Sequence, residues 1–209
     1  KMAEKEYCCR DLLAGLSYEC VRGNVDKCVN EVVYDSRKIK EGCLFICICG
    51  YNTDGHSYIP EALETGVSVL VQKDAEIPKD SDVTVIRVED TRYAMAFIAA
   101  AYFGHPADQL KVIGITGTKG KTTSTYLIKS ILESAGYKVG LIGTIETIIG
   151  DTHIPSKNTT PESFVLQETF RRMVDAGIEI VVMEVASQGL KLHRTQGFVF
   201  EVGIFTNLE

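Results

Sequence analysis

The stretch KVIGITGTKGKTTSTYLIKSILESAG, residues 111–136, decides how the chain reads. KVIGIT is a short buried strand, and TTSTYLIKSILESAG is a helix stopped by Gly136, with Leu127, Ile128, Ile131 and Leu132 predicted on one apolar stripe. Between them lies a loop with glycines at 117 and 120. The usual phosphate-loop spacing, G-x-x-x-x-G-K-[ST], asks for a first glycine where this chain has Ile115. The spacing fails but the chemistry survives. Gly117 and Gly120 let successive N–H groups face inward, and the helix N-terminus adds its partial positive charge, which together make an anion nest. Lys121 can reach β- and γ-phosphates, and Thr122 places a hydroxyl where a bridging magnesium ion would sit. A turn that binds nothing is the weaker reading, because a lysine in the first helical turn opposes the helix dipole unless an anion is present.

The rest of the sequence fits a soluble globular protein of two domains: 209 residues, 45% hydrophobic and 24% charged. No apolar run approaches the ~18 residues needed to cross a bilayer, and the N-terminus lacks the apolar core of a signal peptide, so a cytoplasmic protein without a membrane partner is expected. A formal charge of −6 without a Lys/Arg cluster excludes nucleic acid as the expected partner. The 7 cysteines all fall in the first quarter of the chain. They lack paired C-x-x-C spacing or matching histidines, which argues against metal. In GCLFICICG the cysteines share alternate positions with Phe45, while Leu44, Ile46 and Ile48 take the others, which predicts a strand buried on both faces with cysteine as a small hydrophobe.

Further strands are predicted at 31–35, 67–72 and 83–88, with a helix over 57–65 and another from Arg92 capped by Asp90 or Thr91. Gly104 ends that helix and HPADQ reads as a linker. Beyond it come a strand at KVGLIGT, a hairpin turning at Gly150-Asp151, and a helix opened by Thr160-Pro161-Glu162 with the proline at its first position. Buried strands follow at IEIVVMEVA and VGIFTN. The fold class expected is α/β: a small N-terminal α/β domain over 1–105, then a P-loop-type parallel-sheet domain over 106–209. Ending on a strand without a closing helix, the sequence is expected to be the front part of a longer protein.

TGTKGKTT resembles the Mur ligase form of the phosphate loop, which lacks the distant glycine. YDSRKIKEGCLFICICGYNTDGHSYI (34–59), NTTPES (158–163) and MEVASQGLKLHR (183–194) extend the resemblance over nearly the whole chain, toward the branch of the family that adds the third residue of the peptidoglycan stem peptide. The resemblance implies an ATP-dependent amide ligase. A carboxylate of UDP-MurNAc-L-Ala-D-Glu is phosphorylated and then attacked by the amino group of a diamino acid, meso-diaminopimelate or L-lysine. It implies ATP on Gly117, Thr118, Lys119, Gly120, Lys121, Thr122 and Thr123, with Lys121 and Glu184 catalytic and Mg2+ on Thr122 and Glu184. A carboxylate at Glu184 also makes sense unaided, since ligands gather at the carboxyl ends of parallel strands. Substrate contacts are implied for Tyr34, Ser36, Tyr51, Asn52 and Thr53 on the uridine side. On the muramoyl-dipeptide side they are implied for Asn158, Thr159, Thr160, Ala186 and Arg194. Thr160 is alternatively a helix cap, and His56 and His193 read as structural.

Three positions depart from the family pattern. Lys119 replaces the usual asparagine and adds a cation to the loop. Ala186 and Gln188 stand where the family has serine and histidine; one lost hydrogen bond costs about 0.5–1.5 kcal/mol, which weakens binding without abolishing it. The 209 residues do not include the family's histidine metal ligand, its carbamylated lysine or its third domain. A monomer that binds nucleotide sugar and ATP without completing the ligation is therefore expected. The alternatives are a folylpolyglutamate-type ligase, against which YDSR and NTTPES speak, and a non-catalytic UDP-sugar or nucleotide sensor.

Overall fold

The central strands form where β-branched runs can be buried on both faces, and the two larger of the three sheets each sit in a separate unit, Lys1–Tyr102 and Phe103–Glu209. The computed structural model describes residues 6–50, 53–78 and 82–208.

The first unit runs β1 (Tyr7–Cys8), α1 (Cys9–Leu12), β2 (Tyr18–Arg22), β3 (Cys28–Val29), β4 (Glu31–Val33), β5 (Cys43–Ile46), α2 (Ile59–Thr65), β6 (Ser68–Gln72), β7 (Val85–Val88) and α3 (Thr91–Tyr102). Its main sheet has the order β2-β7-β6-β5-β4, with β4 to β7 parallel and β2 antiparallel on β7. β5 is the core: Cys43, Leu44, Phe45 and Ile46 are all fully buried. Cys43, Phe45 and Cys47 pack against Ile59, Ala62 and Leu63 of α2. The strand expected to run through Cys49 stops at Ile46, because the chain folds back on itself there. Gly55 N–H donates to Ile48 O at 2.9 Å and Gly50 N–H to Thr53 O at 3.0 Å, which leaves Cys49 exposed. None of the cysteines is in a disulfide, and burial pushes the Cys9 thiol up to about 11 and Cys47 up to about 12.

The helix expected over 57–65 is a tight 3-10 turn, Gly55–Tyr58, that continues into α2. α3 is capped by Asp90, whose carboxylate accepts from Arg92 N at 2.8 Å and Tyr93 N at 3.0 Å. Its alanines let it lie close, with Ala94, Ala96, Ala99 and Ala100 buried.

The second unit runs β8 (Lys111–Thr116), α4 (Lys121–Ser134), β9 (Val139–Ile142), β10 (Glu146–Ile149), β11 (Thr152–Pro155), α5 (Ser163–Asp175), β12 (Ile180–Glu184), α6 (Ser187–Lys191) and β13 (Val202–Phe205). The sheet order is β11-β10-β9-β12-β8-β13. β9, β12, β8 and β13 are parallel, and β10 and β11 form an antiparallel hairpin across Gly150-Asp151. β12 shows why a near-continuous apolar strand is needed: Val181 and Met183 face Leu166, Phe170 and Met173 of α5, while Ile180 and Val182 face Ile128 and Leu132 of α4.

Further expectations need correction: β13, expected as a buried strand, is an edge strand with Val202 and Phe205 exposed. The apolar stripe of α4 is narrower than predicted: Ile128 and Leu132 pack inward below buried Thr125, but Leu127 is 58% and Ile131 66% exposed. At about 100° per residue, 125, 128 and 132 share a line that their neighbours at 127 and 131 leave. HPADQ is not a free linker; Pro106–Gln109 is a 3-10 turn with Pro106 buried, and Ala107 and Leu110 pack into the α5 cluster. α5 begins at Ser163 after Glu162, so Pro161 precedes the helix and Thr160 does not cap it.

Asp90→Ala removes both cap bonds of α3 and is expected to cost about 1 kcal/mol. Thermal unfolding should show a midpoint lowered by roughly 4–8 °C for a unit of this size; an unchanged midpoint would refute the cap.

Candidate functional site

The β8–α4 loop is shaped by what stands behind it. Gly117 has φ +136°, and a Cβ there would lie 2.1 Å from Thr206 Oγ1, so only glycine lets the loop approach the end of β13. That end braces the loop. Thr118 N–H donates to Asn207 O and Lys119 N–H to Asn207 Oδ1, each at 3.0 Å, while Thr206 Oγ1 donates to Lys119 O at 2.8 Å. Gly120, at φ +86°, turns the chain into α4. Thr118, Lys119, Gly120 and Thr123 are exposed. Lys121 folds back over the loop, Nζ donating to Gly117 O at 2.5 Å and Thr118 O at 3.2 Å, so its ammonium sits at the loop's inner face.

Glu184 closes β12 on the α4 side, two residues on from Val182, and is 1% exposed. Its carboxylate is held by neutral donors: Thr122 Oγ1 at 3.0 Å, Thr144 N–H at 2.9 Å and Thr144 Oγ1 at 3.0 Å. Gly143 permits this approach, since a Cβ there would stand 2.6 Å from Glu184 Oε1. Because the Thr144 hydroxyl spends its hydrogen on Glu184, the 3.1 Å contact between Thr144 and Thr159 has Thr159 as donor. A buried carboxylate normally gains a cation or a metal, and these three donors are all uncharged.

Thr144 and Thr159 also line a cavity of about 270 Å³ with Lys157, Asn158, Thr160, Ala186, Gln188, Gly189 and Arg194. Thr160 ties its floor: its hydroxyl donates to Glu184 O at 3.2 Å and accepts from Ala186 N at 2.9 Å. Arg194, 6% exposed, donates to Thr160 O at 3.0 Å and to Glu162 Oε1 at 2.6 Å. Thus the second unit brings together the loop, Glu184, Asn158, Thr159, Thr160, Ala186 and Arg194.

Sequence reading missed Thr144, Lys157, and the braces Thr206 and Asn207. Thr144 and the two braces follow parallel strands at their carboxyl ends, which is the signal that would have found them. Also missed is a chain from α4 to the hairpin: Tyr126 OH donates to Glu146 Oε1 at 2.8 Å, and His153 Nδ1 meets Glu146 Oε2 at 2.8 Å. Burial and the Glu146 carboxylate push the Tyr126 phenol up to about 12, while His153 and Tyr126 hold Glu146 below the usual range.

In the first unit, Ser36 is half-buried at the start of a 3-10 turn, Ser36–Lys38, and Tyr34 is half-buried before it. The turn is built by Asp35, which accepts from Arg37 N at 3.1 Å and pairs with Arg37 Nη2 at 2.7 Å; that arginine holds the Asp35 carboxyl down to about 2. Thr53 is exposed, and Tyr51 and Asn52 lie outside the described residues. Cys49, Asp54 and His56 cluster closely enough to suggest a metal site. Both imidazole nitrogens are already engaged, however. Gln72 N–H donates to His56 Nε2 at 3.0 Å, which leaves Nδ1–H to donate to Asp54 at 2.7 Å. His56 fastens the Asp54 turn to the end of β6.

Comparisons with known proteins identify the family. Residues 115–209 match the Mur ligase middle domain, and residues 29–103 match the Mur ligase family catalytic domain. The chain belongs to the Mur ligase family. It is 52% identical over 200 residues, 95% of its length, to the UDP-N-acetylmuramoyl-L-alanyl-D-glutamate--2,6-diaminopimelate ligase of Clostridium perfringens. It is 45% identical over 186 residues, 89% of its length, to the Bacillus licheniformis ligase of the same name. The chain spans 41% and 38% of those two relatives. Among solved structures, one of a ligase of that name aligns over 98% of this chain and 41% of its own, with TM-score 0.76 and 20% identity. The MurF ligase of Thermotoga maritima in complex with ADP aligns over 85% of this chain and 37% of its own, with TM-score 0.52 and 22% identity. At these identities the two structures establish a shared Mur ligase fold.

The hairpin chain gives a pH test. Stability contributed by the lowered Glu146 carboxyl is present above the ordinary glutamate pKa and fades as pH falls through the lowered value. His153→Ala should raise the Glu146 pKa toward its ordinary range in a carbon-13 NMR titration. An unmoved pKa would mean that the imidazole does not hold the carboxylate.

Proposed function

We propose that the chain contributes the substrate- and nucleotide-binding parts of an ATP-dependent amide ligase of peptidoglycan precursor synthesis, acting in the cytoplasm as a monomer. The reaction joins 2,6-diaminopimelate to UDP-N-acetylmuramoyl-L-alanyl-D-glutamate, the activity in the names of the relatives above. Diaminopimelate is preferred over lysine because those names specify it. Residues 1–105 would hold the UDP-sugar through Ser36, Thr53 and the Tyr34 backbone, with Tyr51 and Asn52 as further contacts. Residues 106–209 would hold ATP and the dipeptide.

One observation carries the reading. The hydrogen-bond chain Thr159 to Thr144 to Glu184, met from the other side by Thr122, joins the polar cavity to the first turn of the phosphate loop's helix. A ligase that activates a carboxylate with a nucleotide needs this continuity, because acceptor and phosphoryl donor must meet in a fixed geometry.

The donor set also fits the nucleotide and its metal. The loop presents the Lys121 ammonium on a glycine-shaped curve with α4 behind it, which suits phosphates. Glu184 and the Thr122 hydroxyl are hard oxygen donors suited to Mg2+, and among the described residues the hydrogen-bond partners of the Glu184 carboxylate are uncharged. Bound there, magnesium and ATP would supply charge neutralisation and an activated phosphoryl group. The chain's own residues do the rest: Lys121 steadies phosphate charge, Thr144 orients Glu184, and Thr160 fixes the cavity floor. Arg194, held by Glu162, keeps the Asn158–Thr160 segment in place.

Calorimetry tests this without turnover. The 209-residue chain should bind ATP on the order of tenfold more tightly with Mg2+ than with EDTA. Glu184→Gln should erase most of that difference while Lys121→Ala weakens binding in both conditions. Equal magnesium dependence in wild type and Glu184→Gln would remove Glu184 from the metal site.

A further inference from the structure

The cavity is lined by two cations, and they are not equivalent. Arg194 is buried, with its guanidinium donating to Thr160 O and its charge balanced by Glu162 at 2.6 Å. An ion pair of that kind organises the wall and leaves little net charge for a ligand. Lys157 is the opposite case. It is exposed, lies one residue before Asn158 on the cavity rim, and has neither a hydrogen-bond nor an ion-pair partner among the described residues. The remaining lining side chains are uncharged. The net positive charge offered to a ligand here therefore belongs to Lys157.

A glutamyl substrate carries two carboxylates with different needs. The one to be activated loses its negative charge as an acyl group forms, so it belongs at the Thr144 end, beside Glu184 and the helix of the phosphate loop. The other remains an anion throughout and needs a standing counter-charge.

We propose that Lys157 pairs with the carboxylate of the substrate's terminal glutamate that is not activated, and so sets the orientation in which the other one reaches the Thr144 end. This rests on the ligase reading above. Lys157 is thereby a specificity-determining residue, and it acts by charge from a position whose replacement leaves the wall intact.

The test is a binding cycle on the 209-residue chain with two ligands, UDP-N-acetylmuramoyl-L-alanyl-D-glutamate and the same compound with its glutamate α-carboxylate replaced by a carboxamide. Wild type should prefer the dicarboxylate by about tenfold, with the preference shrinking as salt rises. Lys157→Gln should bind both ligands equally within about twofold, and Lys157→Arg should retain the preference, all three proteins having the same circular dichroism and melting temperature. An undiminished preference in Lys157→Gln overturns the inference, as does a wild type that binds both ligands with equal strength. A folded wild type that binds Mg-ATP but neither ligand overturns the substrate reading on which it depends.

Discussion

Glu184 is a carboxylate closed off from solvent at the end of a central strand, and such a group must be met by donors or it destabilises the fold. The donors come from the first turn of α4 and the loop after β9, and Thr159 in the segment before α5 donates in turn to Thr144. Satisfying one charge therefore fixes three loops relative to one another. Replacing Thr144 by a residue without a hydroxyl would remove one donor from Glu184 and the acceptor of Thr159 together, so the cavity wall and the phosphate loop are structurally one assembly.

Much of this was legible in the sequence because it follows from periodicity. Alternation along IVVME places Ile180, Val182 and Glu184 on the face that α4 covers, and two glycines between a strand and a helix mark the turn at which Gly117 and Gly120 take positive φ. The hairpin was equally readable, since Gly150-Asp151 between two β-branched runs allows little else. What escaped were features that depend on contacts distant in sequence. Thr206 and Asn207 stand more than eighty residues from the loop they brace; their place after a parallel strand marks them as candidates for the site, and only the fold shows which loop they hold. Thr160 looked like a helix cap from its Pro-Glu neighbours, yet it bonds the strand of Glu184 instead. The stripe on α4 was drawn too wide because Leu127 and Ile131 are apolar, and apolar identity alone does not say which way a helical residue faces.

Arg194 shows why a residue's type does not settle its role. The resemblance marks it as a substrate arginine, and its planar fork suits that task. In this fold the fork serves Glu162 and the Thr160 carbonyl, with Nε buried and without a hydrogen-bond partner. It keeps the Asn158–Thr160 segment taut and at the same time lines the cavity.

The cysteines of the first unit have a practical consequence. Cys9, Cys43 and Cys47 are concealed in the core, and Cys20, Cys28 and Cys49 stand on the surface. Thiolate is the reactive form, so burial that hinders ionisation also shields the three concealed groups from alkylation. A mild labelling reagent would therefore mark Cys20 and Cys28 of the folded chain quickly, Cys49 more slowly because desolvation and the Asp54 carboxylate push its thiol up, and the inner ones only when the unit opens. The protein thus carries its own gauge of unfolding, readable by mass, without an engineered cysteine.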